Sequence, residues 1–201
     1  MDLLLLTHYN SIESLYFNLN KDVDSYTLNV IQNVFEKLIK TEKYISEEYS
    51  LEDVLNIPLI KEGRDGYKKL KKDPSRYRLA CESLLRRLVK GNNLYRINNL
   101  VDVGNILSIE CNRSVAVLDY NKIVGDITIR LGRNDDVYEG IGRGLINVEN
   151  IPLYEDDISP FGSTTSDTIR TSVTSETTKL LVFVAIWAIL YGIIAVIKFV
   201  I

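Results

Sequence analysis

The residues that could carry chemistry in this chain are few, and most are neutral. His8 is the one histidine among 201 residues, so a Ser-His-Asp or Cys-His arrangement would have to be built around it. Cys81 and Cys111 lie thirty positions apart and neither belongs to a CxxC pair, which argues against a zinc site and reads as free thiols in a reducing compartment. No GxxxxGK[ST] loop is present. The run Gly-Ile-Gly-Arg-Gly at 140–144 follows a strand pattern with no helix opening after it, which is turn chemistry and not a phosphate cradle. No two carboxylates pair as an acid/base couple, and Asp102 and Asp119 read as acceptors for backbone amides. What remains is a set of amides and hydroxyls: Asn98, Asn99, Asn105, Ser163, Thr164, Thr165 and Ser166. Such groups position substrates and waters more often than they attack. Neither a metal nor a cofactor is expected.

Those groups must be held by a scaffold, and the pattern of apolar residues says which. Leu28, Ile31, Val34, Phe35, Leu38 and Ile39 recur at helical spacing within Tyr26 to Ile45. SLEDVL begins with a box-like cap, Ser50 with Asp53, and Ile57-Pro58 ends it. IKEGRDGYKKLKK follows as a polar helical segment. In DPSRYRLACESLLRRLVKG, Asp73 suits a cap, Pro74 the first helical position and Gly91 the stop. VDVGNILSIEC reads as a further helix.

After Asn112 the period changes from helix to strand. SVAVLD reads as a short buried strand, GDITIRLG alternates, RNDD is a turn and VYEGI a return strand. NIPLYEDD is expected at a sheet edge, because Pro152 lacks a donor. GSTTSDTIRTSVTSET is a hydroxyl-rich loop. Helices first and strands later make an α+β domain.

Charge is distributed unevenly. The formal net charge is -3, yet Lys61 to Arg96 holds twelve Lys/Arg against four Asp/Glu. A basic surface for phosphates would look like this, and so would solvated helix faces with Arg86 and Arg87 paired to Glu82.

One stretch resembles a known family. RINNLVDVGNILSIECNRSVAVLDYNKIVGDITIRLG is similar to the B3/B4 domain, the editing and tRNA-binding module of the bacterial phenylalanyl-tRNA synthetase β subunit. The family pattern runs V-D-[IV]-T-N-Y, P-x-H-A-x-D, then K-I-x-G-x-I-x-V-R. Here it reads Val101-Asp102-Val103-Gly104-Asn105, then Ala116-Val117-Leu118-Asp119, then Lys122-Ile123 through Gly125 to Arg130. The likeness extends from about Ser50 to Val184 and is closest to free-standing members.

The resemblance implies a B3/B4-like mixed β-sheet flanked by helices, with a helical N-terminal part. Residues 1–49 would pack on or complete the domain, 50–184 form it, and 185–201 are an apolar tail. It also implies a protein that binds aminoacyl-tRNA and hydrolyses the mischarged ester, or, alternatively, a non-catalytic tRNA- or RNA-binding module. Asn105 keeps the family's pocket Asn and is the candidate catalytic residue. Gly104 replaces the family's Thr and Ala116 its His. The acid of the late loop falls near Ile169 or Arg170. Gly104, Ala116, Thr164, Thr165, Ser166, Ile169 and Arg170 are thus the candidate pocket, expected to prefer a less polar side chain than tyrosine. Arg76, Arg78, Arg86 and Arg87 are the candidate tRNA contacts.

The C-terminal run LLVFVAIWAILYGIIAVIKFVI, Leu180 to Ile201, carries one charge, Lys198. By length it qualifies as a membrane span, since about 20 apolar residues cross the hydrocarbon core. By resemblance, TKLLVFV is a buried strand. The expectation is a cytoplasmic protein whose tail completes the core; the alternative is a tether through residues 185–201. MDLLLLTHYN lacks a basic start, so no secretory signal is expected.

Overall fold

The computed structural model describes residues 25–188 and 193–200, with side chains described over 29–185. His8 and the first apolar run fall outside them. Helix α1 (Ser25–Glu48) carries the predicted amphipathic pattern, with Ile31, Leu38 and Ile45 buried at seven-residue spacing. Helix α2 (Leu51–Asn56) opens on a capping box: Asp53 N–H donates to Ser50 Oγ (3.2 Å) and Ser50 N–H to Asp53 Oδ2 (2.8 Å). Pro58, which ends α2, also occupies the first position of α3 (Pro58–Lys69), where its missing donor costs nothing.

Helix α4 (Ala80–Leu88) starts later than Asp73-Pro74 suggests. Asp73 instead closes a turn, accepting from Ser75 N–H (2.8 Å). The chain becomes helical at Ala80, whose N–H donates to Thr164 O (3.1 Å) and Ser114 Oγ (3.1 Å). Attachment to the β half, not the local cap, sets the start. The end is as expected: Gly91 takes φ +76° and its N–H bonds Leu88 O (2.8 Å). Helix α5 (Asn99–Cys111) is capped by Asn98, whose side chain accepts from Val101 N–H (2.9 Å), and stops at Asn112 in the left-handed region. Asp102 and Asp119 do accept backbone amides, those of Ile97 (3.3 Å) and Asn121 (3.0 Å). Cys81 is buried, Cys111 half-buried, and both are free thiols.

Three antiparallel sheets follow. β1 (Val115–Asp119), β7 (Leu180–Ala188) and β8 (Ile193–Val200) form one, in the order β1-β7-β8. β2 (Thr128–Leu131), β5 (Pro152–Glu155) and β6 (Pro160–Ser163) form a second, in the order β2-β5-β6. β3 (Val137–Gly140) and β4 (Gly144–Asn147) make a hairpin turned by the 140–144 glycine run. Parallel pairing is confined, among the described residues, to the isolated Gly132–Glu149 bridge.

Two sequence expectations are corrected. NIPLYEDD is the central strand of its sheet, not an edge; Pro152 stands at the strand's first residue, where no ladder donor is required. VYEGI does not return on GDITIRLG: β2 pairs with β5, and β3 with β4. Arg130 explains part of this. Its guanidinium bridges Glu155 on β5 and Asp136 in the turn, drawing β2 onto β5 while the turn redirects the chain.

The described residues of the C-terminal run form two antiparallel strands. β7 extends to Ala188, and β8 pairs back along it from Ala188↔Ile193 to Leu181↔Val200. Val182, Val184, Val196 and Ile197 are β-branched, which suits extended backbone. Among the described residues no helix is long and apolar enough to cross a membrane.

The core has two parts. Tyr67, Leu85, Leu88, Val148, Ile151 and Leu153 pack between the helices and the β2-β5-β6 side. Ala116, Leu118, Tyr154, Phe161, Leu181 and Phe183 form a second cluster, with the Tyr154 and Phe183 rings stacked at 4.4 Å. Each buried Leu, Ile, Val or Phe among them contributes roughly 1.5–3 kcal/mol.

Candidate functional site

Helix α5 lies against β1, and between them opens a cavity of about 300 Å³. Gly104 and Asn105 enter it from α5, Val115 and Val117 from β1, Asp167 and Ile169 from the loop after β6. Ile97, Ile141 and Ile169 are all exposed and give the cavity an apolar rim. The walls are therefore largely aliphatic, with a few polar groups set among them. Those are the proportions of a site for a small organic group.

Gly104 is buried on the inner face of α5. A Cβ there would lie 2.4 Å from Val117 Cγ2, so Val117 fills the space that a side chain at 104 would take. Asn105 stands next to it, half-buried, and no hydrogen bond fixes its amide among the described residues. It is free to hold a water or a carbonyl.

Asp167 faces them across the cavity. Its backbone is tied down, with Ile141 N–H donating to Asp167 O (2.9 Å). Its carboxylate is not: Oδ1 is buried with no partner. Gly162 makes this placement feasible, since a Cβ there would stand 2.5 Å from Oδ1 and 2.7 Å from the Tyr154 ring. Burial without compensation pushes the carboxyl up to about 7. Asp167 is half-buried and lines the cavity, while its unpartnered Oδ1 packs toward Gly162 and the Tyr154 ring; a raised carboxyl pKa beside a cavity marks a candidate functional group.

The first hydroxyls of the loop, at 163–166, hold the site without lining the cavity. Tyr67 OH lies 2.6 Å from Thr164 Oγ1 and 2.8 Å from Thr165 Oγ1, all buried. Tyr138 OH donates to Ser163 Oγ (2.7 Å), and Ser166 N–H donates to the same oxygen (3.3 Å). Thr164, Thr165 and Ser166 therefore anchor the strand of chain that presents Asp167. Burial pushes the Tyr67 hydroxyl up to about 12, so it stays protonated and serves as a donor or acceptor only.

Of the expected pocket, the fold brings Gly104, Asn105 and Ile169 to the cavity and turns the others away. Ala116 sits on the opposite face of β1 from Val115 and Val117, in the aromatic core. Arg170 points to Asp156, Nη2 to Oδ1 at 2.9 Å and Nη1 to Oδ2 at 3.1 Å, and also caps Lys122 O. Burial alone would raise the Asp156 carboxyl; Arg170 and three backbone N–H donors outweigh it and hold it below the usual range. The acid of the cavity is thus Asp167, two residues before Ile169. The signal was present in the sequence: Asp167 is the one carboxylate between Asp157 and Glu176.

The four candidate RNA contacts differ. Arg76 is exposed, and its guanidinium lies 5.5 Å from the Tyr77 ring centre. Arg78 is half-buried, with Nε unpartnered. Arg86 reaches the buried Glu82 at 3.4 Å, sharing it with Arg64 at 2.7 Å. Arg87 donates to Asn93 O (2.5 Å) and covers the Tyr95 ring at 3.9 Å. Lys61, Lys68, Lys71 and Lys90 add exposed positive charge.

Comparison with known families matches residues 63–190 to the B3/4 domain. No curated protein matches the chain. The matched range contains α4, α5, β1 and the loop bearing Asp167, and so the whole set of residues that build the cavity. The chain belongs to the B3/4 domain family, the module it shares with the phenylalanyl-tRNA synthetase β subunit.

Proposed function

We propose that this protein binds the 3′ end of an aminoacyl-tRNA and hydrolyses the ester when the amino acid is wrong. The observation that carries this reading is the α5–β1 cavity, in which Asn105 and the unpartnered Asp167 carboxylate stand among aliphatic walls. Val101, Val115, Val117 and Ile141 offer an apolar seat for an amino-acid side chain. Asn105 holds the attacking water or the ester carbonyl. Asp167, near half-ionised at neutral pH, accepts a proton from that water as it adds to the carbonyl carbon. The ester C–O bond then breaks, the ribose oxygen takes a proton, and free amino acid and tRNA leave. An aminoacyl ester is already labile, so placement alone supplies much of the rate.

The expectation of a preference for a side chain less polar than tyrosine changes with Asp167. A carboxyl at this place accepts a hydrogen bond from a polar group on the substrate, so the cleared amino acid includes those with a hydroxyl or amine reaching the rim. An unpaired buried acid discriminates strongly, because a substrate lacking the donor leaves it unsatisfied. Val117 against Gly104 limits the size admitted on the opposite side.

The test is ester release from a panel of mischarged tRNAs, with wild type beside Asn105→Ala and Asp167→Asn. Faster release than buffer on at least one tRNA, lost in both variants, supports the reading. The non-catalytic alternative, an RNA-binding module using the exposed basic residues of 61–96, is the outcome if binding is retained and no tRNA is deacylated. Its signature is affinity that falls steeply with salt.

A further inference from the structure

We propose that Tyr95, stacked on Arg87, is a platform for one unpaired base of the RNA, next to the nucleotide that enters the cavity. This rests on the reading that the cavity receives an RNA 3′ end. Tyr95 is 68% exposed, an unusual position for a large aromatic side chain. It is not exposed through slackness. Leu94 on one side is buried and its N–H donates to Glu42 Oε1 (2.7 Å). Arg96 on the other side holds the same carboxylate with both nitrogens, at 2.7 Å each. Glu42 on α1 thus clamps residues 94 and 96 inward, and residue 95 between them is left exposed.

Arg87 completes the arrangement. Its Nε–H is held by Asn93 O (2.5 Å), and its guanidinium lies 3.9 Å from the centre of the Tyr95 ring. One face of the ring is therefore backed by a cation. Its high exposure leaves the rest of the ring to solvent. No described residue takes a hydrogen bond from the Tyr95 hydroxyl, so the fold itself makes no polar use of it. A stiff, cation-backed aromatic surface is what a nucleobase stacks on, and the cation meets the phosphate of the same strand.

Position ties the platform to the cavity. Tyr95 and Ile97 are both exposed and stand two residues apart in the same segment, and Ile97 is on the cavity rim. Two residues of extended chain span at most about 7 Å. A strand whose terminal nucleotide enters past Ile97 thus has its neighbouring base within reach of Tyr95. Lys90 and Arg76 are exposed in the same basic segment for phosphates further back.

The experiment uses an unacylated RNA hairpin with a single-stranded 3′ tail carrying 2-aminopurine next to the terminal nucleotide. Wild type is expected to bind it and quench the probe. Base stacking is worth ~1–3 kcal/mol per base, so Tyr95→Ala and Tyr95→Leu should weaken binding about fivefold or more and abolish the quench. Tyr95→Phe should keep both. Because Tyr95 is exposed, thermal melts of the variants should match wild type. Wild-type affinity and quenching in Tyr95→Ala, or no binding by wild type, overturns the platform. Ester hydrolysis intact without dependence of binding on Tyr95 overturns the platform alone; Tyr95-dependent binding with no hydrolysis on any tRNA overturns the editing reading alone.

Discussion

Gly104 and Val117 occupy one space between them: a Cβ on Gly104 would stand 2.4 Å from Val117 Cγ2. The pair joins α5 to β1 at the wall of the cavity, so helix–strand distance and cavity width are set by the same contact.

Gly104→Thr is therefore expected to force the helix from the strand. Over-packing of this kind costs about 1–3 kcal/mol, readable as a lowered denaturation midpoint. Val117→Ala in the same chain should recover most of that loss, giving a non-additive cycle. Additive effects would mean that the two side chains do not compete.

Asp167 predicts a pH dependence with a definite sign. Its folded-state carboxyl is raised from 3.8 to about 7 by burial. The folded protein thus binds a proton that the unfolded chain releases, and stability from this group is full below about pH 4 and lost as pH rises toward 7. Asp167→Asn should remove that slope between pH 4 and 7 and leave the variant the more stable at pH 8. Thermal melts across this range check it; an unchanged slope would show that Asp167 is solvated.

Tyr67→Phe removes one hydroxyl from two buried threonines. Thr164 and Thr165 then lose their shared partner, at an expected cost of about 1–3 kcal/mol. Because these residues hold the chain that carries Asp167, ester hydrolysis should fall with stability. Chemical denaturation and an ester-release assay on the same sample would test both links.

Arg64→Met strips the shorter of two ion pairs from Glu82, which is fully buried. Breaking a buried pair from one side costs roughly 3–5 kcal/mol, with Arg86 offsetting part of it here. Glu82→Gln in the Arg64→Met background should restore part of that stability, because the fully buried carboxylate charge is gone while Arg86 in turn loses its partner. Equal stability of the single and double variants would contradict this.

How far the sequence discloses the fold depends on the range of the forces involved. The α2 capping box, the α5 helix and the 140–144 turn are local, and their residues announce them. The start of α4 is not local: Asp73-Pro74 offers a cap, but Ala80 takes its partners from Thr164 and Ser114, far along the chain. Pro152 argues for an edge by its missing donor, and only the register shows that the first position of a central strand also spares it. The apolar C-terminal run satisfies both a helix-length rule and a strand propensity; pairing with β7 decides for strand.

The site divides along the same line. The motif points to Gly104 and Asn105, and both line the cavity from one helix turn. The family resemblance points to Ala116 for the pocket, and strand alternation turns it into the core while Val115 and Val117 line the cavity. Asp167 was hidden by a two-residue offset in a loop, where spacing carries no geometric meaning. Arg170 drew attention as the charge nearest the expected place, and its charge is consumed by Asp156.

The most direct test of the whole account is the rate of ester release from mischarged tRNA by wild type, Asn105→Ala and Asp167→Asn at neutral pH. Acceleration over buffer is expected on at least one tRNA, with a loss of about 100-fold or more in Asp167→Asn, the range for removing a positioned acid–base group, and a similar loss in Asn105→Ala, as for removing one donor at the reacting carbonyl. Release at the buffer rate across the panel, or release unchanged in both variants, would contradict it.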